Sequence, residues 1–258
     1  MASRRAPAVL VVLVSQVVGL ALALSVAVGT DQAFPGPASL AWAAAAGLVG
    51  VLGLIAFYQA LALGRMGIVA PVAGVLGASL PVLVGIVTQG LPSALQAVGI
   101  VLAVASVALV SRPGDEPPGP QDRRALALAI IAGVGFGLYI TCMQQAGGAS
   151  IPWLLSTSRA ASITAVLVVI AILRPRLPAG DRRWLGLSAV VGVFDVVGNG
   201  LFVASTQTGR LAIAAVTSSL YPVMTVVLAR VVLGERFARI HVAGIVVAMI
   251  AIAAITAG

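Results

Sequence analysis

Two opposite charges buried in apolar runs, Arg159 and Asp195, mark where this sequence could do chemistry. Asp195 lies near the middle of the run 184–205, and Arg159 lies well inside the run 151–173. A carboxylate at such a position costs about 2.5–3.5 kcal/mol on membrane-insertion scales, so it must face protein or a wet cavity. There it suits a proton or a cationic group on a solute; a satisfied structural acid is the alternative. At ~1.5 Å per helical residue, Arg159 is about 12 Å and Asp195 about 15 Å from the ends of their runs on the same side. Near-equal depth on consecutive helices lets the two charges pair, which relieves both. Snorkelling toward the surface is the other course open to Arg159. Asn199 stands one turn beyond Asp195 on the same helix face, where it either shares the site or bonds a neighbouring helix. Tyr221 adjoins Pro222, whose ring frees a carbonyl and kinks the helix, so it is the aromatic candidate for lining a cavity. Asp195, Asn199, Arg159 and Tyr221 are thus the candidate substrate-binding residues. Tyr58, Gln59, Tyr139 and Gln144 lie near run ends and read as interfacial anchors. Cys142 reads as packing, His241 as interfacial and Glu235 as a turn residue with Arg236.

What is lacking excludes other chemistries. The chain has one cysteine and one histidine, so no intramolecular disulfide and no multi-cysteine or histidine-cluster metal site can form. The runs hold no paired-acid cluster of the kind an integral membrane enzyme would need. We therefore expect no enzyme activity, no cofactor and no bound metal. An ATP-driven pump is excluded with them, because no G-x-x-x-x-G-K-[ST] loop is present.

Composition sets the class to which these residues belong. Of the 258 residues 60% are hydrophobic and 9% charged, and the mean hydropathy is +1.14. A soluble core cannot use that much apolar surface, whereas a bilayer can. The net charge of +8 comes from arginine alone, since lysine is absent. In a soluble chain that balance would suggest nucleic acid. Here the arginines sit between apolar runs, so they read as topology signals and nucleic acid is not an expected partner.

Nine candidate spans are expected, at 7–28, 38–63, 67–89, 94–111, 125–144, 151–173, 184–205, 211–232 and 239–257. Each approaches the ~20 residues that a spanning helix needs. The opening Met1 to Arg5 followed by an apolar run mimics a signal peptide. The run is long and lacks a convincing cleavage site, so it reads as a retained span. When the spans alternate, one side collects every loop arginine except Arg210. Cytoplasmic loops gather positive charge, which puts the amino terminus inside and the carboxy terminus outside.

The chain also repeats itself. Pro81 answers Pro222, Ala97 to Val101 answers Val242 to Val246, and Trp42 and Gly50 match Trp184 and Gly192 at one constant offset. The run 7–28 pairs with 151–173, with Ser3-Arg4 resembling Ser158-Arg159. The expected organisation is a first repeat at 1–111, a linker at 112–124 and a second repeat at 125–258. The linker region SRPGDEPPGPQDRR, Ser111 to Arg124, is rich in proline, glycine and charge. The first repeat holds four spans and the second five, and 125–144 has no partner. Copies of an odd-numbered unit lie in opposite orientations, the inverted-repeat plan of many secondary transporters. That plan leads us to expect one more helix before Met1; a true nine-span protein is the alternative.

At these residues the chain resembles a known family. The stretch Ser219-Leu220-Tyr221-Pro222-Val223, the turn Gly234-Glu235-Arg236 and the helix carrying Gly244 are similar to the end of an EamA domain of the drug/metabolite transporter superfamily. Tyr58 to Gly64 is similar to that family's third helix, and Gly133 to Tyr139 to its sixth. The resemblance implies an all-α integral membrane fold of two inverted five-helix units around a central cavity. It further implies a secondary-active permease or exporter of small metabolites, amino acids or drug-like compounds among them, working by alternating access in the plasma (inner) membrane of a prokaryote. Its partners would be a small-molecule solute, the lipid bilayer and, as a candidate coupling ion, a proton. Monomer and homodimer are both compatible. The first-half turn, Thr88 to Ser93, lacks the Gly-Glu-Arg acid, so that acid is not needed by both halves. A non-transporting membrane scaffold or lipid-handling protein is the alternative.

Overall fold

The computed structural model describes residues 7–63, 66–89, 93–110, 120–148, 150–175, 183–207 and 239–257. Among them are eight helices and no strand: α1 (Ala8–Gly29), α2 (Pro37–Leu63), α3 (Met66–Gln89), α4 (Ala94–Val110), α5 (Pro120–Gln145), α6 (Ile151–Leu173), α7 (Arg183–Gln207) and α8 (Arg239–Ala257). Five are long and apolar enough to cross a membrane: α1, α2, α6, and the stretches Asp122–Gln145 and Arg183–Leu201. The other three are apolar over shorter stretches, Val69–Pro81, Ala94–Ser106 and Val242–Ile255. The expected span 211–232, and Tyr221 with it, lies outside the described residues. Helix α5 begins inside the expected linker. Pro120 opens it, where the missing N–H costs nothing, and Asp122 in the first turn complements the helix dipole.

The helices are apolar on all sides because both of their surroundings are. Val98, Val101 and Val104 of α4, Phe194 and Val197 of α7, and Val246 and Ile250 of α8 are exposed, as the lipid-facing surface of a spanning bundle would be. Specific packing comes instead from small residues. Helix α1 packs on α6 and α7, α2 on α5 and α6, α3 on α5 and α8, and α4 on α8. Gly53 of α2 and Gly135 of α5 meet backbone to backbone, so that a Cβ on Gly135 would stand 2.7 Å from the Gly53 Cα.

The two ends of the bundle show which way each helix runs. At one end Trp184, opening α7, packs with Leu10 and Val11 near the start of α1, and with Tyr58 and Ile170 near the ends of α2 and α6. At the other end the α1–α2 connection is pinned to the start of α6. Ser150 Oγ donates to Gln32 Oε1 at 2.5 Å, and Trp153 Nε1 donates to the Gln32 carbonyl at 3.1 Å. The rings of Phe34 and Trp153 meet edge-on at 5.0 Å. The clasp flanks an open groove of about 530 Å³.

An aromatic pair is worth about 0.5–1.5 kcal/mol and a hydrogen bond about 1. Trp153→Ala should therefore lower the stability of the purified protein by about 1–2 kcal/mol, and Trp153→Phe by less, since it keeps the ring. Equal thermal midpoints for the two variants would show that the ring contact carries no weight, and a Trp153→Phe midpoint equal to that of wild type would show the same of the indole N–H.

Candidate functional site

Helices α2 and α6, and likewise α1 and α7, meet where the chain has no side chain to hold them apart. A Cβ on Gly47 of α2 would fall on the Ser158 carbonyl of α6, and one on Gly192 of α7 would stand 2.5 Å from the Ser15 carbonyl of α1. The place that Ser158-Arg159 takes on α6 is thus taken on α1 by Ser15-Gln16. These close approaches draw the next residues, Gln16 and Arg159, into the crossing.

There the structure brings Arg159 and Asp195 together, with Arg159 Nη1 2.7 Å from Asp195 Oδ2. The same nitrogen donates to Gln16 Oε1 at 2.8 Å. Asn199 Nδ2 donates to Asp195 Oδ1 at 3.0 Å and to the Asp195 carbonyl at 2.8 Å. It therefore holds the carboxylate from within its own helix. The two charges differ in access. The Arg159 side chain is 6% exposed and that of Asp195 28%. Arg159 does not snorkel; it is sealed in the packing, and its acid partner keeps an open side.

The guanidinium is only half used. Among the described residues its Nε and Nη2 are buried with no hydrogen-bond partner, as are Ser158 Oγ and Tyr139 Oη. Each buried unsatisfied donor costs about 1–3 kcal/mol. Arg159, Asp195 and Ser158 all lie within electrostatic reach of the Tyr139 hydroxyl. Tyr139 is therefore no interfacial anchor. Its ring fills the space that Gly50 leaves, where a Cβ would come within 2.8 Å of it. Tyr58 is likewise drawn inward, half-buried against Val12, Val51 and Val166 among others.

Of the candidate residues, then, Asp195, Asn199 and Arg159 converge, while Tyr221 lies outside the described residues. Sequence reasoning missed Gln16, Ser158 and Tyr139. Gln16 was legible in part, as the one amide deep in an otherwise apolar first run. A polar side chain inside a span needs a partner wherever it sits.

Comparison with known proteins bears on the family and the fold. Residues 123–257 match the EamA-like transporter family. No curated protein matches. A solved crystal structure of another protein superposes with a TM-score of 0.66, covering 98% of this chain and 88% of that one at 15% identity. At that identity the likeness is one of fold. A match over more than half the chain, across the helices that carry Arg159 and Asp195, shows that this protein belongs to the EamA-like transporter family.

Proposed function

We propose that this protein is a secondary-active carrier that moves a small metabolite by alternating access, with the Arg159–Asp195 pair at the centre of the cycle. The observation that carries the reading is this ion pair inside a membrane-transporter fold. Ionisable residues within spans are expensive and mark solute or proton pathways. The pair is held in a way that can be undone. Arg159 keeps Gln16 as an acceptor, and Asp195 keeps Asn199 as a donor, so each partner retains one hydrogen bond if the two separate. A proton or a cationic solute would then compete with Arg159 for Asp195. No step of this cycle forms or breaks a covalent bond, and the protein acts as a carrier and not as an enzyme.

The repeat supports two inverted halves that rock about the site. Gly47 of α2 against Ser158 of α6, and Gly192 of α7 against Ser15 of α1, are glycine–serine crossings made by corresponding helix pairs of the two halves. The arginine partition supports a bacterial-type inner-membrane orientation, with the amino terminus in the cytoplasm and the carboxy terminus outside.

Purified protein reconstituted into vesicles should release a preloaded mixture of amino acids, organic acids and amines faster than empty vesicles do, for at least one component. If no component moves, with or without a pH gradient, the carrier reading fails and a scaffold or lipid-handling role replaces it. A reporter fused after Gly258 should be active only if it works outside the cytoplasm, and one inserted near Gly119 only if it works inside. The reverse pattern overturns the orientation.

A further inference from the structure

We infer that the unpartnered edge of Arg159 is a binding site for the carboxylate of the solute. This deepens the carrier reading, and rests on it for the opening that lets a solute in.

A guanidinium has two edges that matter here. Nη1 is fully engaged, by Asp195 at 2.7 Å and Gln16 at 2.8 Å. What remains free, among the described residues, is the edge formed by Nε–H and Nη2–H. Those two bonds run parallel, and their spacing matches the two oxygens of one carboxylate. A structural arginine in so dry a place would be expected to spend that fork on backbone carbonyls or a second acid. This one leaves the bidentate edge empty and uses the single nitrogen beside it.

The surroundings suit the same ligand. Gly19 of α1 lies against the fork, where a Cβ would stand 3.5 Å from Nε and 3.6 Å from Cδ. With no side chain at position 19, the flank of the fork beside Nε stays uncrowded. Two further buried hydroxyls, Ser158 Oγ and Tyr139 Oη, lie nearby and close to each other, and each can donate to a carboxylate oxygen.

Charge narrows the class. Arg159 is the one buried cation among the described residues, and Asp195 already balances it. A doubly charged phosphate would have too little positive charge to meet it in a low-dielectric site. A carboxylate adds one negative charge, which is balanced when Asp195 gains a proton or meets a cationic group on the same solute. The fork is sealed in this conformation, so the solute enters when α1 and α6 part.

The test is binding, kept separate from flux. Full-length protein in lipid nanodiscs is titrated with acetate, benzoate and alanine, and with the isosteric amides acetamide, benzamide and alaninamide, by ligand-observed saturation-transfer NMR. At least one acid should bind at least about tenfold more tightly than its amide, as a charge-assisted fork over a neutral contact implies. Gly19→Ala puts a methyl beside Nε, 3.5 Å away, and so crowds the approach to one donor of the fork. It should weaken that acid by about tenfold or more while leaving the thermal midpoint near wild type. Tyr139→Phe, which removes only the hydroxyl, should weaken it less. Gly29→Ala, where a Cβ meets nothing within 4 Å, should bind as wild type does. If no acid outbinds its amide, or if Gly19→Ala binds the acid unchanged, the site is overturned. Acid binding without flux keeps the site and sinks the carrier reading. Flux of neutral or cationic solutes that Gly19→Ala does not alter does the reverse.

Discussion

Replacing Asp195 with Asn should abolish solute movement while leaving the protein in the membrane. The substitution keeps the shape of the side chain and an oxygen for Asn199, but removes the charge 2.7 Å from Arg159. Breaking one partner out of a buried pair costs about 3–5 kcal/mol, because the other charge is left uncompensated. At 1.4 kcal/mol per decade, a loss of that size corresponds to about two to three and a half orders of magnitude. Asp195 keeps an open side, which lets water relieve part of the cost, so the lower end of the range is expected for stability. Transport has no such relief, because the competition between Arg159 and the cargo for one carboxylate is gone.

Arg159→Gln should fall short in the same assay, and Arg159→Asp should be worst, since it sets two acids side by side. Exchanging the charges, Arg159→Asp with Asp195→Arg, should raise the thermal midpoint above that of either single variant. Gln16 helps here, because its amide can turn and donate to an acid at position 159 as readily as it now accepts from the arginine. Wild-type flux by Asp195→Asn, for whichever solute the vesicle screen identifies, would make Asp195 a structural acid only.

The second large effect is steric. Gly47→Ala adds one methyl group, and that methyl would fall on the backbone of Ser158, with the carbonyl carbon 2.8 Å away and the Cα 3.0 Å away. A side chain in the way can rotate; a helix backbone cannot. Overpacking of a close-packed interior costs about 1–3 kcal/mol where neighbours can adjust, and more where they cannot. The displaced helix would also carry off the bond from Ser162 Oγ to the Gly47 carbonyl, now 2.8 Å, and move Arg159, which is next in the chain to Ser158. Gly47→Ala should therefore lower both the amount of protein reaching the membrane and its thermal midpoint, and Gly192→Ala should do the same from the other side of the crossing. Gly29→Ala, in open space, should be neutral or slightly stabilising, as alanine is in a helix. A Gly47→Ala protein as abundant and as heat-resistant as wild type would mean that α2 and α6 do not cross at Ser158.

The sequence alone determined the lipid-facing character of the molecule and nearly all of its described helix limits. A spanning helix must satisfy its backbone internally and be apolar over a length set by the bilayer, and both demands are local. The expected runs 38–63, 67–89 and 151–173 accordingly lie within a residue of α2, α3 and α6. The start of α5 at Pro120 was missed because a proline-rich, charged stretch resembles a linker, although its last residues suit a helix amino terminus. Asp195 and Arg159 were legible for a similar reason: a charge in an apolar run is costly wherever the run ends up.

The partners of those charges were decided by the tertiary structure. Nothing in the spacing says that Gln16 reaches Arg159 across 143 positions of chain, or that Tyr139 turns inward where its place near a helix end suggested an anchor. Those outcomes depend on where helix backbones approach closely, at Gly47 and Gly192, and on the space that Gly50 leaves for the Tyr139 ring. In a chain with 29 glycines, composition does not single out these three. Only the crossing of particular helices does, because an added methyl matters where another helix already occupies its space.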